Sequence, residues 1–346
     1  MGLRDEIREQ PATARRLIDE GRESITRIAA ALRERPFDTI VIAARGTSDH
    51  AAVYAQYVFG VRHRLIVGLA APSIGSVYGV EPRFGRSVVI GISQSGESPD
   101  VVGVVAAARG QGVPTIAITN SAGSPLSRAA EHAIDLRAGL ERAVAATKTY
   151  TAELLAVALL SASLAGDDAA LAAIDQLPDA IAAALETEAD AERLAAARAG
   201  MAGCIVLGRG FEYATAREWA LKLKELARLL ADPYSAADFQ HGPLALLEPG
   251  FPVLALAPSG AAAADLIALL ARLRDQFGVD LVVVSDRDDA LALGAGLRLP
   301  QGHATPDWLM PVVSIVPAQL FAYHLARARG LDPDSPRHIR KVTLTR

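Results

Sequence analysis

The sequence is poor in features that would each define a class of protein. It contains a single cysteine, Cys204, which excludes a disulfide framework and a cysteine-based structural zinc site and favours a reducing compartment. Its 35 basic and 39 acidic residues leave a net charge of −4, so there is no global positive field to hold a nucleic acid. The histidines are scattered without ligand spacing, and we therefore expect no metal site and no cofactor.

Long hydrophobic runs are also missing. The longest uncharged apolar run, residues 154–166, is too short for a span of about 20 residues. The N-terminus carries charge where a signal peptide needs an apolar core. With 51% apolar residues over 346 positions, the composition predicts a soluble, cytoplasmic protein of two globular domains, with no membrane contact.

Short apolar segments rich in β-branched residues alternate with segments of helical length. They occupy residues 39–44, 65–69, 87–92, 114–119, 133–136, 204–207, 253–257 and 281–284. Strands that are continuously apolar and separated by helices are typical of a parallel sheet covered on both faces. The sequence therefore predicts an α/β fold with doubly wound parallel sheets.

The two halves of the chain echo each other. Arg45-Gly46 and Arg209-Gly210 both close an apolar strand, while Glu153 and Gln319 lie in similar apolar helices at nearly the same spacing. Two such pairs favour a duplicated α/β unit. We expect an N-terminal helical arm (1–35), a first domain (36–165), a helical linker (166–198), a second domain (199–330) and an extended tail (331–346).

A serine-rich loop, Ser93-Gln94-Ser95-Gly96-Glu97-Ser98, follows the third predicted strand and leads into a helix that begins near Pro99. Such a loop presents unpaired N–H groups and a helix N-terminus, which together bind anions. It contains no lysine, so it fits a sugar phosphate better than a nucleoside triphosphate. The alternative is an ordinary serine-rich turn in which Ser98 caps the helix.

The loop Arg45-Gly46-Thr47-Ser48 ends the first predicted strand. In a doubly wound sheet it can flank the same crevice as the serine-rich loop. The alternative is a simple connection with Ser48 or Asp49 as the N-cap.

A helix predicted over residues 213–230 carries two distinct faces. Trp219, Leu223, Leu226 and Leu230 form a core stripe, and Glu218, Lys222 and Glu225 lie on another face. The spacing by itself favours a solvated face with a Glu218–Lys222 pair. The alternative is that Glu225 faces a cleft as a general base with Lys222 tuning it.

Two further residues are candidates for proton transfer or nucleophilic attack. His241 precedes Gly242-Pro243 and is therefore expected on a loop, either as a surface residue or as a proton-transfer group near neutral pH. Lys341 lies in the tail, where a lysine is ordinarily solvated. It becomes a candidate nucleophile only if the tail folds back and desolvates it.

Taken together, these segments resemble the tandem sugar isomerase (SIS) domains of the glucosamine-6-phosphate synthase family. The resemblance covers nearly the whole chain. Its most specific pieces are residues 92–98, Leu221-Lys222-Leu223-Lys224-Glu225, residues 241–246, and Pro336-Arg337 with Lys341.

The resemblance implies a fold of two flavodoxin-like doubly wound domains related by duplication, and a homodimer that binds a hexose 6-phosphate or amino-hexose 6-phosphate. It implies that Glu225 shuttles a proton between C1 and C2, that His241 assists ring opening from the neighbouring subunit, and that Lys341 attacks the carbonyl or helps to open the ring. Val144 should approach the sugar, and Lys222 is a further substrate-binding candidate. The phosphate and nearby hydroxyls should be held by Thr47, Ser48, Ser93, Gln94, Ser95 and Ser98.

The sequence departs from this family at several positions. Arg45 stands where a small residue or cysteine is usual, Ala146 replaces a serine and Ser98 replaces a threonine. The glutaminase domain with its cysteine nucleophile is missing, which favours free ammonia as a product. We therefore expect a deaminase/isomerase that converts glucosamine 6-phosphate to fructose 6-phosphate and ammonia.

Four alternatives stay open. The first two are enzymes: an aldose–ketose phosphosugar isomerase and a deglycase acting on amino-acid adducts of phosphosugars. The third is a non-catalytic sugar-phosphate sensor, and the fourth is a subunit supplied with ammonia by a separate glutaminase.

Overall fold

The structure, a computed structural model, describes residues 2–300 and 305–341. Residues 342–346 of the expected tail lie outside the described residues. The described residues group into two units. The first unit comprises residues 12–141, 148–175, 340 and 341, and the second comprises 2–11, 142–147, 176–300 and 305–339.

Regular elements alternate along the chain as the apolar pattern predicts. The strands are β1 (Thr39–Ala43), β2 (Ile66–Leu69), β3 (Ser87–Ile92), β4 (Thr115–Thr119), β5 (His132–Asp135), β6 (Gly203–Gly208), β7 (Leu230–Ser235), β8 (Pro252–Leu256), β9 (Asp280–Ser285) and β10 (Ala295–Arg298).

The first half of the chain contains eight helices among the described residues. They are α1 (Leu3–Arg8), α2 (Gln10–Arg33), α3 (Thr47–His63), α4 (Ser73–Ser76), α5 (Pro99–Gly110), α6 (Pro125–Ala129), α7 (Lys148–Ala165) and α8 (Asp168–Asp175). Those of the second half are α9 (Leu177–Leu185), α10 (Glu188–Ala197), α11 (Glu212–Ala227), α12 (Ala236–Phe239), α13 (Ala263–Phe277), α14 (Asp288–Leu291) and α15 (Met310–Ala328).

Each unit contains one five-stranded parallel sheet. The strand order is β2-β1-β3-β4-β5 in the first unit and β7-β6-β8-β9-β10 in the second, so the same order occurs twice. This is the flavodoxin-like order, in which the direction of winding reverses between the first and third strands. The predicted fold class, two doubly wound α/β domains related by duplication, is confirmed.

The first sheet is covered on both faces. Side chains alternate along each strand, so one set packs against α5 and α6, where Val89, Ala117, Val105 and Leu126 form a buried cluster. The opposite face is covered by α3 and α7, which pack on each other. β3 is buried at all six positions because it lies in the interior of this sheet.

The second sheet repeats this layering. Leu207, Val253, Val283 and Leu270 belong to the apolar cluster that it forms with α13. The helices α11 and α15 pack on each other, and the ring of Trp219 meets the ring of Phe321 edge-on, with centroids 5.6 Å apart.

Two strands and one helix end differ from the sequence-based expectation. β7 and β10 are edge strands, and their polar, glycine- and proline-containing sequences lack the apolar run of a central strand. The helix predicted over 213–230 ends at Ala227, because Arg228 adopts a left-handed conformation with φ 52°. Leu230 therefore belongs to β7, where it is 76% exposed, and not to the core stripe.

Residues 331–341 of the tail form no regular helix or strand, as the proline content predicts. Among the residues that the structure describes, no helix combines the length and apolarity that crossing a bilayer requires.

Candidate functional site

The topology places the serine-rich loop at the switch point of the first sheet. Strand order reverses between β1 and β3, so the loops that follow these two strands flank a crevice at the carboxyl edge of the sheet. The first loop leads into α3 at Thr47, and the second, residues 93–98, leads into α5 at Pro99. Two helix N-termini therefore border one crevice, an arrangement that favours an anion.

The conformation of the serine loop (residues 93–98) depends on Gly96. This residue has φ +67°, and a Cβ atom placed on it would lie 2.1 Å from Oγ of Ser124. Only glycine fits both conditions. The Gly96 carbonyl in turn accepts a hydrogen bond from the N–H of Leu126 (3.0 Å), which fastens the loop to the start of α6.

Hydroxyl groups in the serine loop keep their protons available for a ligand. Ser93 Oγ accepts the N–H of Gly96 (3.1 Å), and Ser95 Oγ accepts the N–H of Glu97 (3.2 Å). A hydroxyl that accepts a backbone N–H still has its own proton to donate. Ser98 occupies the N-cap position of α5, but its side chain makes no capping hydrogen bond. These three hydroxyls can therefore donate to phosphate oxygens.

The backbone of Gln94 is fixed by the end of β4. Its carbonyl accepts hydrogen bonds from the N–H of Asn120 (3.0 Å) and the hydroxyl of Thr119 (3.3 Å). The Gln94 side chain is partly exposed beside the crevice loop. Because its backbone is fixed and its side-chain amide is partly exposed, Gln94 is suited to binding a ligand.

The loop after β1 places Thr47 and Ser48 in the first turn of α3. Gly46 precedes them with φ 56°, and Thr47 is partly exposed. Ser48 is buried, and its hydroxyl donates to Oε1 of Glu153 on α7 (2.7 Å). The Ser48 hydroxyl therefore already donates its proton to a carboxylate, and its oxygen can still accept a hydrogen bond from a ligand.

Arg45, in the loop after β1, forms an ion pair with Asp100 of α5, the helix that follows β3. Its Nε and Nη2 atoms lie 2.8 and 2.7 Å from Oδ2 of Asp100, the second residue of α5. The Asp100 side chain is fully buried, whereas the Arg45 side chain is 46% exposed. Arg45 thus ties the end of β1 to the helix that follows the serine loop.

Lys341 is not simply solvated, contrary to the expectation for a tail lysine. Its Nζ atom lies 2.5 Å from Oε2 of Glu141, and the lysine side chain is only 24% exposed. The same carboxylate, itself fully buried, accepts the N–H (3.1 Å) and the hydroxyl (2.7 Å) of Thr149 at the start of α7. Lys341 belongs to the first unit, where its ammonium group lies on a buried carboxylate.

The prediction that Glu218 and Lys222 form a solvated helix face is wrong. Both side chains are buried, because α11 packs against α15 and β6. Nζ of Lys222 lies 3.3 Å from Oε1 of Glu218 and 2.5 Å from Oε2 of Glu225. Burial alone would lower the pKa of Lys222, but the two carboxylates outweigh it and raise that pKa above its ordinary value.

Glu225 is therefore held by a buried, charged ammonium while keeping its own access to solvent. Its side chain is 22% exposed, in contrast to Glu218, which is fully buried two turns earlier on α11. A carboxylate that is both fixed and reachable satisfies the geometric requirement for a general base.

His241 lies on a loop, as its sequence context predicts. It follows α12, is exposed, and its N–H donates to the carbonyl of Asp238 (2.9 Å). Gly242 follows with φ 127° and starts the 3₁₀ turn Pro243–Leu246. The imidazole is therefore presented at the surface by a short, turn-bounded segment.

Val144 belongs to a short segment that Glu6 holds in place. The buried Glu6 carboxylate accepts the N–H groups of Arg142 and Ala143, the latter 3.2 Å from Oε2. Val144, the next residue, is partly buried. A carboxylate on α1 thus fixes the backbone next to a predicted sugar contact.

The predicted residues are distributed over the two units. The first unit contains Thr47, Ser48, Ser93, Gln94, Ser95, Ser98 and Lys341. The second contains Val144, Lys222, Glu225 and His241. Within the first unit the structure brings the loops after β1 and β3 to one crevice, and within the second it brings Lys222 to Glu225.

Several buried carboxylates were given no role by the sequence analysis, and three of them contact candidate residues or the switch-point loop. Asp100, Glu141 and Glu153 pair with Arg45, Lys341 and Ser48, which lie far away along the chain. One of them left a signal, since Glu153 is the only charged residue between Lys148 and Gly166 in an apolar helix. The others lie in mixed sequence, where nothing local marks them as buried.

A cavity of about 880 Å³ lies on the first unit. It is bordered by β1, β2 and α5, and Ile40, Leu69, Phe84 and Val104 are among its lining residues. None of residues 93–98 lines it, but Pro99 and Asp100 do, so the cavity borders the helix start that directly follows the serine loop.

The described part of the chain offers no metal centre and no reactive thiol. Across residues 2–300 and 305–341, no group of His, Cys, Asp or Glu side chains could hold a metal ion. Cys204 is buried in β6, and burial raises the pKa of its thiol to about 12.

Comparison with known proteins gives a consistent result. The chain matches the SIS domain family over residues 35–163 and 204–329, the two segments that carry the two sheets. It is 34% identical over 339 residues to the glutamine–fructose-6-phosphate aminotransferase (isomerizing) of Methanothermobacter thermautotrophicus. That alignment covers 97% of this chain and 56% of the relative, so the chain spans little more than half the relative's length.

Two solved structures show the same architecture. A Silicibacter pomeroyi protein that has been proposed to be a phosphosugar isomerase superposes with a TM-score of 0.86 at 35% identity, over 96% of this chain and 100% of that one. The C-terminal domain of the glucosamine-fructose-6-phosphate aminotransferase of Francisella tularensis gives 0.84 at 27% identity, over 96% of this chain and 98% of that one.

Proposed function

The chain belongs to the SIS domain family, and on that premise we propose that it is an enzyme that moves a proton between C1 and C2 of a hexose 6-phosphate. The observation that carries the proposal is the serine loop at the switch point of the first sheet. There, two helix N-termini and the hydroxyls of Ser93, Ser95 and Ser98 are arranged to receive a phosphate group.

The preferred substrate is glucosamine 6-phosphate, converted to fructose 6-phosphate and ammonia. Relatives that act as aminotransferases on fructose 6-phosphate support an amino sugar or its keto counterpart as the ligand. Opening of the sugar ring exposes the C1 aldehyde. Glu225 then removes the C2 proton to give an enolamine and returns a proton to C1. Water adds to the resulting C2 imine, which releases ammonia and leaves the ketone.

Three further residues have roles in this scheme. Lys222 orients the Glu225 carboxylate through the ion pair described above. His241 assists ring opening as an acid–base group, and its exposure on a loop suits action on a neighbouring subunit. Lys341 helps to open the ring, or it passes a proton to Glu141 and attacks the open-chain carbonyl; water leaves as the imine forms and later hydrolyses it. The Glu141 carboxylate, at 2.5 Å, is close enough to exchange a proton with it.

The experiment that tests the proposal combines product formation with isotope exchange. Purified protein is incubated with glucosamine 6-phosphate in D₂O, and ammonia, fructose 6-phosphate and deuterium at C1 are measured. We expect all three from the native protein and none from Glu225→Gln. Lys224→Gln, which changes an exposed neighbour on α11, is the matched control and should keep full activity.

A second candidate, an aldose–ketose isomerase acting on a hexose 6-phosphate without nitrogen, is favoured by the similarity to the Silicibacter pomeroyi structure. The same D₂O experiment with fructose 6-phosphate separates the two. Exchange at C1 without ammonia formation from any amino sugar identifies the isomerase. Ligand binding without exchange from any hexose phosphate would contradict both and identify a sensor.

A further inference from the structure

The ion pair between Arg45 and Asp100 occupies an unusual electrostatic position. Asp100 is the second residue of α5, two positions after Ser98, and its carboxylate is fully buried. One of its oxygens accepts the N–H of Val101 (2.9 Å), and the other receives both the Nε and Nη2 groups of Arg45. A fixed negative charge therefore lies in the first turn of the helix whose N-terminus borders the proposed phosphate site.

An uncompensated carboxylate at this position would oppose phosphate binding in two ways. It would repel a dianion bound at the start of the helix, and it would offset part of the positive potential of the helix N-terminus. Because Asp100 is buried, water screens this repulsion poorly. The guanidinium of Arg45 is the group that cancels it, since it lies on the carboxylate and cannot lose its proton.

The second unit contains a natural comparison for this ion pair. Arg209 follows β6 as Arg45 follows β1, and its Nη2 lies 3.4 Å from Oδ2 of Asp265 in the first turn of α13. There the aspartate is 69% exposed, and the loop before the helix reads Pro258-Ser259-Gly260-Ala261. An arginine–aspartate ion pair thus occurs at the equivalent position of both units. The aspartate is buried beside the serine loop in the first unit, whereas the aspartate of the second unit is exposed.

We propose that Arg45 is a positioning residue for phosphate binding, which neutralises Asp100 and thereby lets the serine loop accept a doubly charged ligand. The inference rests on the proposed function and specifies a residue outside the serine loop. Asp100 holds the first turn of α5 through Val101, and Arg45 makes that arrangement compatible with an anion.

The test is a set of binding measurements with fructose 6-phosphate and with inorganic phosphate as titrants, by calorimetry at low salt. Arg45→Ala should raise the Kd for fructose 6-phosphate by about ten-fold or more, since a full negative charge is uncovered close to the dianion. Asp100→Asn alone should bind as well as the native protein or better. The double variant should return to within about three-fold of the native Kd.

Two more variants separate charge from structure. Arg45→Lys keeps the charge and should keep most of the affinity, whereas Arg45→Gln keeps a hydrogen-bond donor without charge and should bind as weakly as Arg45→Ala. Arg209→Ala is the matched control, because it removes the equivalent bridge where no serine loop is present, and it should leave the Kd unchanged. Thermal unfolding of each variant shows that the fold is intact.

The proposal is overturned if Asp100→Asn weakens binding as much as Arg45→Ala and the double variant stays weak. That pattern would identify the bridge as a structural link whose charge is irrelevant. If the native protein binds fructose 6-phosphate and Arg45→Ala binds it equally well, this inference fails while the proposed function stands. If the native protein binds no hexose 6-phosphate at all, both fail.

Discussion

Nζ of Lys341 lies 2.5 Å from Oε2 of Glu141, a carboxylate 200 positions earlier in the chain that has no exposure to solvent. Thr149 donates two further hydrogen bonds to the same carboxylate. The buried Glu141 carboxylate of the first unit therefore sets the position of the Lys341 ammonium group.

We expect the two members of this ion pair to differ when each is replaced: one change lowers activity, and the other lowers the free energy of unfolding. Glu141→Gln removes the charge that orients Lys341 and should lower kcat/KM for glucosamine 6-phosphate by about 100-fold. Lys341→Met leaves a buried carboxylate without its cation and should cost ~2 kcal/mol in the free energy of unfolding. Urea denaturation and steady-state kinetics measure the two effects.

The double variant Glu141→Gln/Lys341→Met provides the control for this pair. Removing both charges should cost less stability than Lys341→Met alone, because no unpaired buried charge remains. Additive losses in the double variant would show that the two side chains do not interact.

The serine loop has no room for a side chain at Gly96. Gly96→Ala should abolish measurable sugar-phosphate binding and destabilise the fold by ~2–3 kcal/mol, because a Cβ would lie 2.1 Å from Ser124 Oγ in a left-handed backbone. Gly123→Ala is the matched control, since Gly123 has φ +79° but open space around its Cβ position. It should cost about 1 kcal/mol and leave binding intact. Equal effects of the two changes would mean that the contact with Ser124 is unimportant.

Glu212 predicts a pH dependence of stability. Burial raises the pKa of this carboxyl to about 7, although a hydrogen bond from Ser314 partly opposes the shift. Between its ordinary pKa and 7 the folded protein holds a proton that the unfolded chain has lost. The free energy of unfolding should therefore fall as pH rises through this window, by at most about 3 kcal/mol, and level off above it.

Substitution of Glu212 tests this dependence. Glu212→Gln should become progressively more stable than the native protein between pH 5 and pH 8 in urea denaturation. Glu248→Gln, at an exposed position, should show a constant difference over the same range. A constant difference for Glu212→Gln as well would show that the buried carboxyl does not carry a proton near neutral pH.

His241 predicts complementation between chains. If the histidine serves the site of a partner subunit, Glu225→Gln and His241→Ala should each be inactive alone. Mixed dimers formed by co-expression should then recover roughly a quarter of the native activity, as random pairing in a two-fold dimer restores one site in half of the molecules. A mixture of Glu225→Gln with Glu225→Ala should recover nothing. The absence of recovery in the first mixture would place His241 in the same chain as its site or outside the reaction.

Much of the fold was predictable from local pattern. The central strands β1, β3, β4, β6, β8 and β9 are continuous apolar runs because both faces of each are covered, and such runs are visible in the sequence. The edge strands β7 and β10 were missed for the complementary reason, since an edge needs no apolar run. Leu230 was placed in a helix because spacing continues through Arg228, whereas the backbone reverses there.

Some features of the candidate site were likewise predictable from the sequence, and others were not. The sequence alone determined which loops follow buried strands, and it thereby identified the serine loop, the position of Gly96 and the loop carrying His241. Only the tertiary structure decided that Lys222 is buried between two carboxylates and that Arg45 and Lys341 each lie on a buried acid. The reason is that strand and turn signals depend on neighbouring residues, whereas burial and ion pairing depend on which distant segments the sheet brings together.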